Sequence, residues 1–210
     1  SMKRGNGFKM IENVVKGRFA NMEKAEKNVK RPGKAEIEKF LKSSVEGKVR
    51  VNEQIKFLEN FTPEKVSTED MLVFINFMRK NMSASLKMPG CMDICGTGGS
   101  GLTRINTSTI AAFILAELGV KVAKHGNKAA SGRFGSFDLL EILAIEIEKT
   151  PVELEKLYKE TSLAFIFARN FHPVMKYFTE ARKQLGKPTI FNLIGPLLNP
   201  ADPERQIIGT

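Results

Sequence analysis

At 210 residues and 42% hydrophobic content, the chain can bury a sizeable core as one or two domains. No apolar run approaches the roughly 20 residues that a membrane-spanning helix needs, and the first residues do not read as a signal peptide. The net charge of +10 is uneven: residues 1–50 hold 14 Lys/Arg against 6 Asp/Glu, and the remainder hold 19 against 17, so the basic excess sits in that first segment.

A solvated basic helix accounts for the charge of residues 1–50, with a polyanion-binding arm as the other reading. Arginine clusters interleaved with aromatics are missing and Trp is absent, which argues against nucleic acid as a partner. Residues 8–88 read as helical. Phe8 to Phe19 carries Met10, Ile11, Val14, Val15 and Phe19 on one face, and Arg31-Pro32-Gly33 breaks the pattern. Ala35 to Val45, Val51 to Asn60 and Thr68 to Met82 follow at helical spacing, the last capped by Ser67-Thr68-Glu69-Asp70. Phe57, Leu58, Phe61, Met71, Phe74, Ile75, Phe77 and Met78 are packing residues. Met88-Pro89-Gly90 then punctuates the entry to a first strand, flanked by Cys91 and Cys95, which read as free thiols of a reducing cytoplasm.

That strand, Met92-Asp93-Ile94-Cys95, opens into Gly96-Thr97-Gly98-Gly99-Ser100-Gly101, where four glycines in six residues let the backbone turn and expose its N–H groups. Asn106-Thr107-Ser108-Thr109 stands before the apolar helix pattern IAAFILAELG. Polar residues at a helix start suit phosphate through free N–H donors and the helix dipole. A second strand, Val120 to Ala123, delivers Lys124-His125-Gly126-Asn127, and a further loop ends at Gly135-Ser136-Phe137-Asp138, with Asp138 as the N-cap. The glycine spacing fits neither a Walker loop nor a dinucleotide-binding fingerprint. Leu139 to Lys149 and Pro151 to Thr161 read as helices, Leu163 to Ala168 as a buried strand, and Val174 to Leu185 as a helix after His172-Pro173. Residues 188–200 read as a strand and a Gly-Pro-Leu turn, and the chain closes on Ile207-Ile208-Gly209-Thr210 as a strand.

The motifs GTGGSG, NTST, KHGN and GSFD, in this order and spacing, resemble those of the anthranilate phosphoribosyltransferases, of the glycosyltransferase family shared with pyrimidine nucleoside phosphorylases. The phenylalanine-rich strand, the His-Pro turn and the Gly-Pro-Leu turn extend the resemblance to about Pro200. It implies an α/β fold: a small N-terminal helical domain over 1–88, with about 165–186 packing on it, and a larger α/β domain over 89–210. The central sheet of that domain is mainly parallel and incomplete at the C-terminus. It also implies a homodimer through the helical domain, a cytoplasmic enzyme and a Mg²⁺ cofactor.

The reaction implied is transfer of the phosphoribosyl group of phosphoribosyl pyrophosphate to the amine of anthranilate. Phosphoribosyl pyrophosphate would be held by Gly96, Thr97, Gly98, Gly99, Ser100, Thr103, Asn106, Ser108, Thr109, Lys124 and Ser136, with Ser108 as the metal contact. Anthranilate would meet Gly96, Asn127 and Arg182, while Lys124 and His125 position the reacting groups without a covalent nucleophile. His172 reads as a structural tie. Taken without the resemblance, Arg182 is equally a surface charge on a helix, and His125 can simply tie down a turn. Ser100 stands where the family often has Asp, Lys128 replaces an arginine, and Phe137 replaces a small residue and narrows the loop. The family's acidic metal ligands, an adjacent Asp-Glu pair, lie beyond the Gly-Pro-Leu turn. After Pro200 only Asp202 and Glu204 are acidic here, so a fragment with poor or no turnover is expected. The alternatives are a nucleoside phosphorylase of the same fold and a non-catalytic relative that binds nucleic acid.

Overall fold

The computed structural model describes residues 32–96, 106–128 and 135–209. The predicted first helix, most of the basic segment, and Thr97, Gly98, Gly99, Ser100 and Thr103 lie outside the described residues. The chain divides into two compact units: Ser1–Asn81 with Pro173–Leu197, and Met82–His172 with Leu198–Thr210.

In the first unit, α1 (Lys34–Val45), α2 (Val51–Leu58) and α3 (Thr68–Lys80) are joined by short turns, with a 3₁₀ turn at Glu59–Phe61. Ser67 starts α3 as the sequence indicates. Its Oγ accepts from Asp70 N at 3.1 Å, and the Asp70 carboxylate accepts from Ser67 N at 2.9 Å. The returning segment runs through a 3₁₀ turn (Pro173–Phe178), α8 (Thr179–Leu185), α9 (Ile190–Ile194) and a 3₁₀ turn (Gly195–Leu197), numbering helices in chain order across both units. Phenylalanine rings link these pieces in series. Phe40 stacks on Phe57 at 3.7 Å, and Phe61, Phe74, Phe191 and Phe178 follow at 4.9 to 5.6 Å between neighbouring centroids.

The second unit holds a four-stranded parallel sheet in the order β3-β2-β1-β4, made of β1 (Met92–Gly96), β2 (Val122–Gly126), β3 (Leu163–Phe167) and β4 (Arg205–Gly209). The connections carry α4 (Thr107–Glu117), α5 (Ser136–Ile142), α6 (Pro151–Thr161) and the single turn α7 (Ala168–Phe171). Both faces are covered, as a parallel sheet requires. Ala123, Ala164 and Ile166 pack with Leu154 and Tyr158 of α6, and Val122, Phe165 and Phe167 pack with Ala112 of α4 and Phe137 and Leu140 of α5.

Four boundaries differ from the sequence reading. The segment 188–200 contains no strand: Thr189 N donates to Asn192 Oδ1 at 3.0 Å and starts a helical turn that buries Ile190, Phe191 and Ile194. A short apolar run fits either state, and packing decides. The helix after Ser136 ends at Ile142 rather than Lys149, because Ala144 turns left-handed at φ 56° and sends Ile147 back into the core. Residues 173–178 form a 3₁₀ turn before α8 begins. Strand β2 starts two residues late and continues through Lys124, His125 and Gly126, so these residues are strand and not loop.

Phe74 is fully buried and touches both Phe61 and Phe191. Phe74→Ala should cost about 3–5 kcal/mol in denaturant unfolding of the first unit; a loss below about 1 kcal/mol would mean that the ring series does not hold this unit together.

Candidate functional site

The carboxyl ends of β1 and β2 and the starts of α4 and α5 meet at one rim of the sheet. Chain order runs from β1 to β2 and β3 on one side, whereas β4 returns to the other side of β1. Such a reversal leaves a crevice at the strand ends where open α/β sheets bind ligands. Gly96 closes β1 at this rim, and Asn106 stands before α4.

Lys124 is the residue around which the rim is arranged. Its side chain is 1% exposed, and its ammonium donates to Ile94 O at 2.6 Å and to Ser108 Oγ at 3.1 Å. Burial pulls its pKa below the ordinary lysine value, and the negative charge of Asp93 opposes that shift. Asn106 does not cap α4 with its side chain; its Nδ2 donates to Gly135 O at 2.9 Å and ties the start of α4 to the start of α5. Gly135, not Asp138, is the N-cap of α5. Asp138 sits three residues inside and accepts from Gly135 N at 2.6 Å, so the cap is closed from within the helix.

The structure brings together Gly96, Asn106, Ser108, Lys124 and Ser136 at this rim. Thr109 lies on the buried side of α4, and its Oγ1 has no hydrogen-bond partner among the described residues. Successive strand residues point to opposite faces. The ring of His125 therefore leaves the Lys124 face and lies edge-on to His172 at 5.3 Å. His172 is the structural tie that the sequence suggests, with Nε2 2.9 Å from Leu198 O. Asn127 is exposed and accepts from Lys128 N at 2.9 Å. Lys128 pairs with Glu141 at 2.6 Å. Arg182 belongs to the first unit, where its guanidinium lies 5.5 Å from the Phe191 ring centroid and 3.4 Å from Asn192 Oδ1.

Three residues that the sequence reading leaves unassigned complete this end of the sheet. Asp93 is fully buried; its Oδ1 accepts from His125 N at 3.2 Å and its Oδ2 from Gln206 Nε2 at 3.0 Å. Asn199 Nδ2 donates to Ala123 O at 2.8 Å. Burial raises the Asp93 pKa, against the hydrogen bonds from Asn199, Gln206 and His125 N and the charge of Lys124. Only Asp93 carried a signal: a carboxylate inside an apolar strand needs partners.

Phe137 is a core residue. It is buried between the aromatic face of β3 and Gly126, with Phe167 stacked at 5.1 Å. A Cβ on Gly126 would meet Phe137 Cε2 at 3.0 Å. Gly126→Ala should therefore destabilise the second unit by about 1–3 kcal/mol, and Phe137→Leu should recover most of that loss in the double variant. Additive losses in thermal unfolding would show that the two positions do not touch.

The comparisons with known proteins bear on the same stretch. A family model described as "Glycosyl transferase family, a/b domain" matches residues 88–210. The anthranilate phosphoribosyltransferase of Pelagibacter ubique (strain HTCC1062) is 39% identical over 175 residues, which is 83% of this chain and 53% of the relative. That of Bacillus thuringiensis subsp. konkukian (strain 97-27) is 48% identical over 144 residues, 68% of this chain and 42% of the relative. Among solved structures, anthranilate phosphoribosyltransferase from Thermus thermophilus aligns with a TM-score of 0.77 and 32% identity, covering 95% of this chain and 57% of that one. The Saccharomyces cerevisiae enzyme in complex with PRPP and Mg aligns at 0.69 and 26%, covering 95% and 52%. The chain thus spans about half the length of the curated relatives it matches. With the motifs, the parallel sheet and the family match falling on the same residues, the chain belongs to the glycosyl transferase family.

Proposed function

We propose that this protein transfers the phosphoribosyl group of phosphoribosyl pyrophosphate to the amine of anthranilate, a step of tryptophan biosynthesis, releasing pyrophosphate. The observation that carries the reading is the buried Lys124 ammonium, held 3.1 Å from Ser108 Oγ at the start of α4. The names of the relatives and the yeast complex with PRPP and Mg support it. The same reading carries a homodimer formed through the helical domain (1–88, with about 165–186 packing on it) and a cytoplasmic location. Among the described residues no helix is long and apolar enough to cross a membrane.

The displacement breaks the bond from C1 of the ribose to pyrophosphate, forms a bond from C1 to the anthranilate nitrogen, and releases a proton from the amine. It requires positioning and charge neutralisation more than covalent help. An ammonium has three donors, and Ile94 O and Ser108 Oγ account for two of Lys124's, so the third can turn to a pyrophosphate oxygen. The amides from Gly96 through Gly99, with Ser100 and Thr103, would line the phosphate end, and Asn106, Ser108, Thr109 and Ser136 would hold its oxygens. The resemblance assigns anthranilate contacts to Asn127 and to the fork of Arg182, which belong to separate units. His125 would act through the placement of β2.

The described residues contain no cluster of three His, Cys, Asp or Glu side chains able to hold a metal by themselves. Ser108 Oγ accepts one bond from Lys124 and keeps a second lone pair, which suits a Mg²⁺ ion carried mainly by substrate oxygens. When bound, Mg²⁺ would offset charge on the departing pyrophosphate.

A thermal-shift titration of these 210 residues with phosphoribosyl pyrophosphate and Mg²⁺ should raise the melting temperature, and Lys124→Ala should diminish the shift. Turnover by these residues alone should be poor, since the family's Asp-Glu pair is not among them. A shift undiminished in Lys124→Ala, or one produced by a DNA duplex and not by phosphoribosyl pyrophosphate, would overturn the reading.

A further inference from the structure

The sheet is not uniformly laddered. Strand β1 runs in register with β4 over five residue pairs, Met92↔Arg205 to Gly96↔Gly209, and β2 with β3 over five, Val122↔Leu163 to Gly126↔Phe167. Between β1 and β2, the strands that bear the site, the register covers only Met92↔Val122. Beyond that pair, side chains bridge the strands. Lys124 Nζ donates to Ile94 O, Asp93 Oδ1 accepts from His125 N, and Asn199 Nδ2 donates to Ala123 O. Both peptide groups flanking Lys124 are thus fixed by buried side chains, since Asp93, Asn199 and Lys124 are each no more than 2% exposed.

We propose that Asp93 is the positioning residue of Lys124: its buried carboxylate, anchored by Gln206 on β4, clamps β2 at His125 and so sets the Lys124 ammonium against Ser108. The proposal rests on the phosphoribosyl transfer reading, in which that ammonium meets pyrophosphate. Three features of the arrangement point to Asp93 and not to packing alone. Among the described residues, the hydrogen-bond partners of the carboxylate are donors: His125 N, Gln206 Nε2 and the Asn199 side chain. A neutral amide there would set its own donor against one of them. The clamp also acts on the residue directly after Lys124, where a small shift of the backbone moves the ammonium relative to Ser108. Finally, Asp93 sits on the sheet face opposite to Lys124, so it holds the lysine without occupying the ligand side. Its negative charge also offsets the buried positive one through the sheet.

The test compares wild type, Asp93→Asn and the double variant Asp93→Asn/Gln206→Glu, which moves the carboxylate one strand across while keeping an amide–carboxylate bond. Two readouts are taken. In the ligand-free protein, amide hydrogen exchange at His125 should accelerate about tenfold or more in Asp93→Asn, relative to Ala164 in β3, and return towards wild type in the double variant. In titrations with Mg²⁺ and phosphoribosyl pyrophosphate, affinity should fall about tenfold or more in Asp93→Asn and recover to within about threefold in the double variant. In a Lys124→Met background, Asp93→Asn should change that affinity by less than about twofold. If Asp93→Asn is too unstable to assay, Gln206→Leu, which unfastens one carboxylate oxygen without touching β2, should give the same ordering at smaller amplitude. Unchanged His125 exchange, or a loss of affinity equally large in the Lys124→Met background, would overturn the positioning role. Wild type that binds no phosphoribosyl pyrophosphate, while His125 exchange still responds to Asp93→Asn and its rescue, would instead overturn the transferase reading and leave the clamp standing.

Discussion

The burial of one carboxylate and one ammonium on adjacent strands is the constraint to which the site end of the sheet answers. Asp93 and Lys124 are both removed from water, and burial drives each toward its neutral form: Asp93 upward and Lys124 downward in pKa. An isolated buried charge costs several kcal/mol, so neither residue is tolerable there alone. The hydrogen bonds to His125 N, Gln206, Asn199, Ile94 O and Ser108 are how the fold meets that cost. With Asn199 on Ala123 O, they satisfy the peptide groups of β1 and β2 at Ile94 O, Ala123 O and His125 N with buried side chains.

The same arrangement divides labour between the faces of the sheet. Strand alternation puts Lys124 on the side of α4 and α5. It puts the His125 ring on the other side, beside His172. The Asp93 carboxylate, on that second face, reaches β2 through the backbone N–H of His125. Phe137 and Gly126 illustrate a related trade: the large ring fills the core against β3 only because its neighbour in β2 has no Cβ. A bulky residue that looked like an obstruction of the loop is a core residue matched to a glycine.

The helical unit is governed by different physics. Its interior is a series of phenylalanine contacts from Phe40 to Phe178, supported by helix starts that satisfy their own N–H groups. Arg182 is drawn into that unit by Phe191 and Asn192. Burial lowers its pKa, yet a guanidinium keeps its charge in such a setting and stays able to meet a carboxylate.

Much of this was legible in the linear sequence, and the reasons are local. Capping residues such as Ser67 and Thr150 announce helix starts because they bond within three residues of themselves. Apolar periodicity gave α1, α3, α6 and β3, and the glycine and Lys-His-Gly-Asn motifs gave the rim. What the sequence could not decide is whatever depends on partners far along the chain. The run 188–200 became helical because Ile190, Phe191 and Ile194 found a buried place, not because of any local preference. Asn199 and Gln206 carry no sequence signal, since their partners Ala123 and Asp93 lie 76 and 113 residues away. By itself, then, the sequence determined α1, α3, α6, β3 and the glycine and Lys-His-Gly-Asn motifs, all set by neighbours a few residues apart. Only the tertiary structure decided which face each strand residue takes and how Lys124 is held, because buried charges are stabilised by groups that folding brings from distant parts of the chain.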